Sequence, residues 1–137
     1  MKRRTAIVLL ATGAVLFGVP CIGAVWQALM TMEDHRAHPP PGRMVDVGGY
    51  RLHLNCSGSG SPAVILDQRF SASTLWFRVQ PEVAKFARVC SYDRAWHAWS
   101  DPGRAPMSSA QLARDLHTLL QNGGIALQFV LVEHSQA

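Results

Sequence analysis

"QFVLVEHS", Gln128 to Ser135, is the stretch whose reading decides this chain. Phe129 to Val132 are four consecutive apolar residues. Such a run suits a strand buried on both faces, as in parallel sheets. Ser135 follows that strand, where a helix is expected to begin. A serine in that place fits a nucleophile elbow, whose sharp turn lifts the hydroxyl above the sheet. The plainer reading is a serine that caps the next helix. The elbow pattern is Gly-x-Ser-x-Gly, because side chains at the flanking positions crowd the turn. Here those positions are Glu133 and Ala137.

Upstream, Ser108 to Asn122 predicts a helix. Ser108 and Gln111 have the spacing of a capping box, and Leu112, Leu116, Leu119 and Leu120 make one apolar face. Gly123-Gly124 closes it. "ARVCSYD", Ala87 to Asp93, predicts a strand. Thr74 to Phe86 has helical spacing, with Pro81 interrupting it or starting its second half. "AVILD", Ala63 to Asp67, is another short buried strand. Before it, Val45 and Val47 alternate with Asp46, and Gly48-Gly49 supplies a tight turn with positive φ. Tyr50, Leu52, Leu54 and Cys56 then share one face, with Arg51, His53 and Asn55 on the other. After the hairpin the order is strand, helix, strand, helix, strand. That alternation predicts an α/β fold with a parallel sheet and flanking helices.

The N-terminal end is of another kind. Thr5 to Met32 carries no charged residue, and Ala6 to Trp26 is almost wholly apolar over 21 residues. About 20 apolar residues cross the hydrocarbon core of a bilayer. Lys2, Arg3 and Arg4 precede the run, and Glu33 and Asp34 follow it. The positive-inside rule then places the N-terminus in the cytoplasm and the rest outside, periplasmic or extracellular. The rival is a signal peptide cleaved near Ile22-Gly23-Ala24, giving a secreted product. "HRAHPPPG" reads as a stiff proline-rich linker. The expected organisation is a membrane anchor or signal segment over 1–32, a linker over 33–42 and one domain over 43–137.

The formal net charge is +4, and Lys2, Arg3 and Arg4 supply three of those charges. From Arg43 onward nine basic residues meet seven acidic ones, which leaves no electrostatic footprint for nucleic acid. "GSGSPA" imitates a dinucleotide motif, but Pro62 and a strand follow it where a helix N-terminus is needed. His35 and His38 lie in the linker, and no metal site is expected. Of three cysteines, Cys21 lies in the apolar segment. Cys56 and Cys90 either pair or serve as two small buried side chains.

Three ordered blocks carry a resemblance: "RMVDVGGYRLHLNCSGSGSPAVILD", "VQPEVAKFARVCSYDRAWHAWSDPG" and "AQLARDLHTLL" running on to "FVLVEHS". Together they resemble the N-terminal half of a bacterial α/β-hydrolase-fold protein, over roughly Pro41 to Ala137. The resemblance implies an antiparallel first strand pair followed by parallel strands. It implies serine-hydrolase chemistry on a small-molecule ester or amide, with no cofactor. Ser135 aligns with the nucleophile. Gln68, Arg69 and Phe70 align with the oxyanion loop. Asp93, Arg94, Ser100 and Asp101 align with a structural turn beside the active site. The strands bearing Cys56 and Cys90 would be neighbours, which keeps their disulfide open.

Departures from the family pattern are as specific as the match. The family's oxyanion loop is glycine-rich, whereas here it runs Asp67-Gln68-Arg69-Phe70-Ser71-Ala72. Losing one oxyanion donor costs about 100- to 1000-fold in rate. Trp96 and Ala98 replace two glycines of the turn after Asp93. Glu133 would set a carboxylate beside a site that must hold an oxyanion. In this fold the acid and histidine of the triad follow the serine, and after Ser135 stand only Gln136 and Ala137. Upstream histidines do not replace the base: His134 should point away, His53 lies on the polar face of an edge hairpin, and His117 lies on a flanking helix. His97 alone falls in a loop near the site. Two expectations result. One is a truncated hydrolase, inactive as these 137 residues. The other is a non-catalytic, membrane-tethered remnant that acts, if at all, as an interaction module through its open sheet edge.

Overall fold

In the computed structural model, residues 2–69 and 72–135 are described. The chain divides into two units, Met1–Pro39 and Pro40–Ala137.

The first unit is one helix, α1, over Lys2–Ala37. Thr12–Asp34 is long and apolar enough to cross a membrane, with a mean hydropathy of 1.7. The helix runs five residues past the segment end expected at residue 32, through Glu33, Asp34 and Arg36. Nothing before Pro39 opposes it, and a residue ahead of proline is pushed out of helical geometry.

In the second unit five strands form one sheet: β1 Arg43–Asp46, β2 Arg51–Ser57, β3 Ala63–Gln68, β4 Val89–Tyr92 and β5 Phe129–His134. Their spatial order is β1-β2-β4-β3-β5. β2 is antiparallel to both neighbours, whereas β3 is parallel to β4 and to β5. The β1–β2 turn forms as read. Gly48 and Gly49 have φ of 103° and 107°, which side chains rarely adopt, and the Val47 N–H donates to the Tyr50 carbonyl at 2.9 Å.

One helix covers each face. α3, Ser109–Asn122, packs Leu119 and Leu120 against Leu52, Leu54, Ile65 and Cys90. Each fully buried leucine contributes roughly 1.5–3 kcal/mol. The other face is covered by a 3-10 turn, Ser73–Phe77, and a short helix α2, Val79–Val83. Trp76, Val83 and Ala84 meet Val64, Leu66 and Val89 there. The continuous helix expected over Thr74–Phe86 is thus two short pieces, with Pro81 in the first turn of the second. Proline lacks the N–H and clashes with the turn before it, so it fits only near a helix start.

The capping box closes on one side. The Ser108 hydroxyl accepts from the Gln111 N–H at 3.2 Å. Gln111's amide instead donates to Asp115 at 2.7 Å and to the Tyr50 hydroxyl at 3.3 Å. The other half of the box stays open because Gln111 Oε1 accepts from Arg114 at 2.8 Å and the Ser108 N–H donates to the Pro106 carbonyl at 3.0 Å. Burial, then the Asp115 hydrogen bond, raises the Tyr50 phenol above its ordinary range.

Two features follow from register. Cys56 stands opposite Cys90 across β2 and β4, and the two form a disulfide. β5 pairs with β3 on one side; on its other side no strand pairs with it among the described residues. Val130, Leu131 and Val132 are accordingly exposed, although the sequence reads as a buried strand.

Candidate functional site

The site begins where β3, β4 and β5 end, because parallel strands deliver their C-terminal residues to one edge of the sheet. Alternation then sends successive side chains to opposite faces. On β4 and its extension, Ser91 and Asp93 go to the α2 face, while Tyr92 and Arg94 go to the α3 face.

On the α3 face lies a buried ion cluster. The Arg94 guanidinium donates through Nε and Nη2 to Asp67 at 2.9 and 2.7 Å. It also donates to Glu133 at 3.2 Å. Side-chain exposure is 8% for Arg94, 6% for Asp67 and 25% for Glu133, so water screens the first pair little. The hydrogen bond to Asp67 raises the Arg94 pKa, and the guanidinium stays charged. Burial, then the Asp67 charge, drives the Tyr92 phenol far above its usual range. This cluster ties the ends of β3, β4 and β5 together. It also answers the concern over Glu133, whose carboxylate is drawn to Arg94. A cavity of about 230 Å³ opens beside it, walled by Leu112, Leu116 and Leu131.

On the α2 face lies a second buried network. The His53 ring is fully buried and meets Asp93 through Nδ1 at 2.9 Å. Its Nε2 accepts from the Gly42 N–H at 3.2 Å. That fixes a neutral ring with the proton on Nδ1. Asp93 also accepts from the Ser73 N–H at 2.5 Å. The Ser73 hydroxyl lies 3.4 Å from the same Nδ1 that binds Asp93, so Ser73, His53 and Asp93 are not a relay in the order a triad requires. The polar-face reading of His53 is corrected here. The β1–β2 hairpin does lie at the sheet's edge, but Trp99 and Ser73 cover the ring.

The turn from Asp93 to Asp101 closes on itself. The Ser100 hydroxyl donates to the Asp93 carbonyl at 2.6 Å and accepts from the His53 N–H at 2.9 Å. Asp101 accepts from Arg51 Nε at 3.0 Å, and that hydrogen bond holds its carboxyl below the ordinary range. Trp96 and Ala98 adopt φ of 69° and 44°, the left-handed region. These are the positions where glycines were missed in the sequence. A non-glycine residue there costs on the order of 1–2 kcal/mol. Trp96 is 58% exposed, so its ring offsets little of that. Trp96→Gly is expected to raise stability by about 1 kcal/mol, read as a higher urea midpoint of the detergent-solubilised chain. A lower midpoint would show that the ring contributes more than the backbone conformation costs.

Among the oxyanion candidates, Gln68 is buried and donates its amide to the Ala72 carbonyl. Its Oε1 is buried and has no hydrogen-bond partner among the described residues. Arg69 is partly buried, and Phe70 lies outside the described residues. Ser135 stands exposed at the end of β5 with φ of 72°. Positive φ is uncommon for a residue other than glycine. His134 turns its ring to the α2 face, edge-on to Trp76 at 6.4 Å, as a neighbour of Ser135 should. His97 Nδ1 lies 2.9 Å from the Ala95 carbonyl. No described imidazole is hydrogen-bonded to Ser135.

Sequence reasoning missed both networks. A signal existed: Asp67 and Arg94 end adjacent buried strands with opposite charges, and such groups must pair when buried.

No family profile matches the chain. An enol-lactonase from Burkholderia xenovorans LB400 matches with a TM-score of 0.63 and 24% identity, over 68% of this chain and 37% of that one. An alpha/beta hydrolase fold protein from Burkholderia ambifaria matches at 0.55 and 25%, over 68% and 36%. A curated relative, the probable transporter efuK of Hormonema carpetanum, is 32% identical over 101 residues, 69% of this chain and 14% of its own length. The second unit is a partial α/β-hydrolase fold, and its structural neighbours are hydrolases. The chain spans little more than a third of the length of these two solved structures.

Proposed function

We propose that this chain supplies the nucleophile-bearing part of an α/β hydrolase that cleaves an ester- or amide-type bond through Ser135. The observation that carries the reading is the positive φ of Ser135 at the end of β5, beside the end of β3. A hydroxyl raised on such a turn reaches a bound carbonyl, while backbone N–H groups after β3 are the candidates to stabilise the oxyanion. Arg94 serves this arrangement by offsetting Asp67 and Glu133. A serine needs a base to become a nucleophile, and the described residues hold none in contact with it.

A second reading has its own support. Gln68 is folded back onto Ala72, where the family has glycine with free N–H groups. That favours a non-catalytic remnant. Under either reading α1 associates the chain with a membrane. The three basic residues at the start of α1, ahead of its apolar run, and the disulfide beyond it favour a cytoplasmic N-terminus with the domain outside. Cleavage of α1 as a signal would instead release the domain.

The 137-residue chain is expected to hydrolyse p-nitrophenyl esters no faster than Ser135→Ala, and to resist a fluorophosphonate probe. Labelling lost in Ser135→Ala would place a working base within these residues. Intact mass of the product from its source cells separates the readings. A product near 15.0 kDa that does not label is the non-catalytic remnant. A product roughly twice that size, labelled at Ser135, is the hydrolase.

A further inference from the structure

The surface of the 3-10 turn and α2 exposes apolar, aromatic and basic side chains together. Gln80 and Trp76 point inward. Leu75, Phe77, Val79 and Phe86 point outward, and Phe77 and Phe86 are 68% and 80% exposed. The Arg78 guanidinium lies 5.3 Å from the centre of the Phe77 ring. Charge is concentrated in the same segment. Residues 69–88 hold four of the nine basic residues found from Arg43 onward, but one of the seven acidic ones. That one, Glu82, is bonded to Lys85 at 2.6 Å, and the segment keeps a net charge of four minus one, +3. Exposed aromatics mixed with arginine and lysine are the chemistry of surfaces that lie in a bilayer interface, rings among the acyl chains and cations among anionic headgroups. Five residues separate α1 from β1, so a helix seated in a bilayer keeps the domain at the surface.

We propose that the face built from Leu75, Phe77, Arg78, Val79, Lys85 and Phe86 docks on an anionic lipid surface. The domain then has a second membrane contact besides α1. The inference rests on α1 being a membrane anchor. It does not depend on Ser135 being catalytic.

The test uses the full chain with Cys21→Ser, so that one added cysteine carries an environment-sensitive dye. Thr74→Cys places the dye beside the patch, and His117→Cys places it on α3, which covers the opposite face of the sheet. Each protein is reconstituted in phosphatidylcholine vesicles with or without phosphatidylglycerol. A spin-labelled lipid is expected to quench the dye at residue 74 about twofold or more in the anionic vesicles, and to spare the dye at 117. The quench should fall in Phe77→Ser/Phe86→Ser, and in Arg78→Glu/Lys85→Glu or high salt. A quench that persists in both variants overturns the proposal, as does one equal at 74 and 117. A blue shift at 74 without lipid quenching, rising with protein-to-lipid ratio, assigns the face to a second copy and also overturns it. Vesicle flotation reads the anchor separately. A chain that fails to float overturns both claims, and one that floats while residue 74 stays unquenched overturns the docking alone.

Discussion

Replacing Arg94 with methionine is expected to cost the domain about 3–5 kcal/mol, enough to unfold a marginal one. The guanidinium is the shared partner of Asp67 and Glu133, and its loss leaves a carboxylate with 6% side-chain exposure uncompensated. The effect should be conditional. Adding Asp67→Asn and Glu133→Gln to Arg94→Met removes the stranded charges, and should restore about half or more of the loss. Urea denaturation of the three proteins in detergent checks this. A loss below about 1 kcal/mol for Arg94→Met would mean the cluster is solvated like a surface pair. The consequence bears on the site, since the same three residues tie the end of β5 to the ends of β3 and β4.

The second large effect is at Asp93. Asp93→Ala should destabilise by about 3 kcal/mol, because it strands two buried donors, the Ser73 N–H and the His53 Nδ1–H. Asp93→Asn should be milder, but still costs on the order of 1–2 kcal/mol. Its amide can accept from only one of the donors. Turned to satisfy Ser73, it presents its own N–H to His53 and forces the proton to Nε2, which now accepts from Gly42. A nitrogen-15 spectrum of the imidazole reads this directly. Wild type should show the proton on Nδ1, and the asparagine variant on Nε2 or in exchange. An unchanged tautomer with full stability in Asp93→Asn would remove Asp93 as the orienting group.

Neither network touches Ser135, yet together they explain why the strand ends are held in place on both faces. The α3 face does it with an ion cluster around Arg94 and the α2 face with hydrogen bonds converging on the Asp93 carboxylate. The cost of Trp96 and Ala98 in the left-handed region is borne by the same turn, closed through Ser100 and Asp101.

Much of this was legible in the order of residues. The apolar runs at Ala63 and Phe129, the Gly48-Gly49 turn and the leucine stripe of α3 determine local structure through short-range sterics and periodicity. Length and polarity alone make Ala6 to Trp26 a candidate membrane span. Those quantities depend on neighbours in sequence, so the sequence states them. What it did not state is which charges meet. Asp67, Arg94 and Glu133 are spread over 67 positions, and His53 and Asp93 over 41. They come together only because β4 is inserted between β2 and β3, and because alternation along each strand chooses the face. Cys56 and Cys90 are brought opposite each other by the same insertion. Solvent exposure is likewise tertiary. His53 reads as polar surface but is covered, and Val130 to Val132 read as buried but lie on an unpaired edge. Sequence fixes what a residue prefers; the neighbours supplied by the sheet decide whether that preference is met.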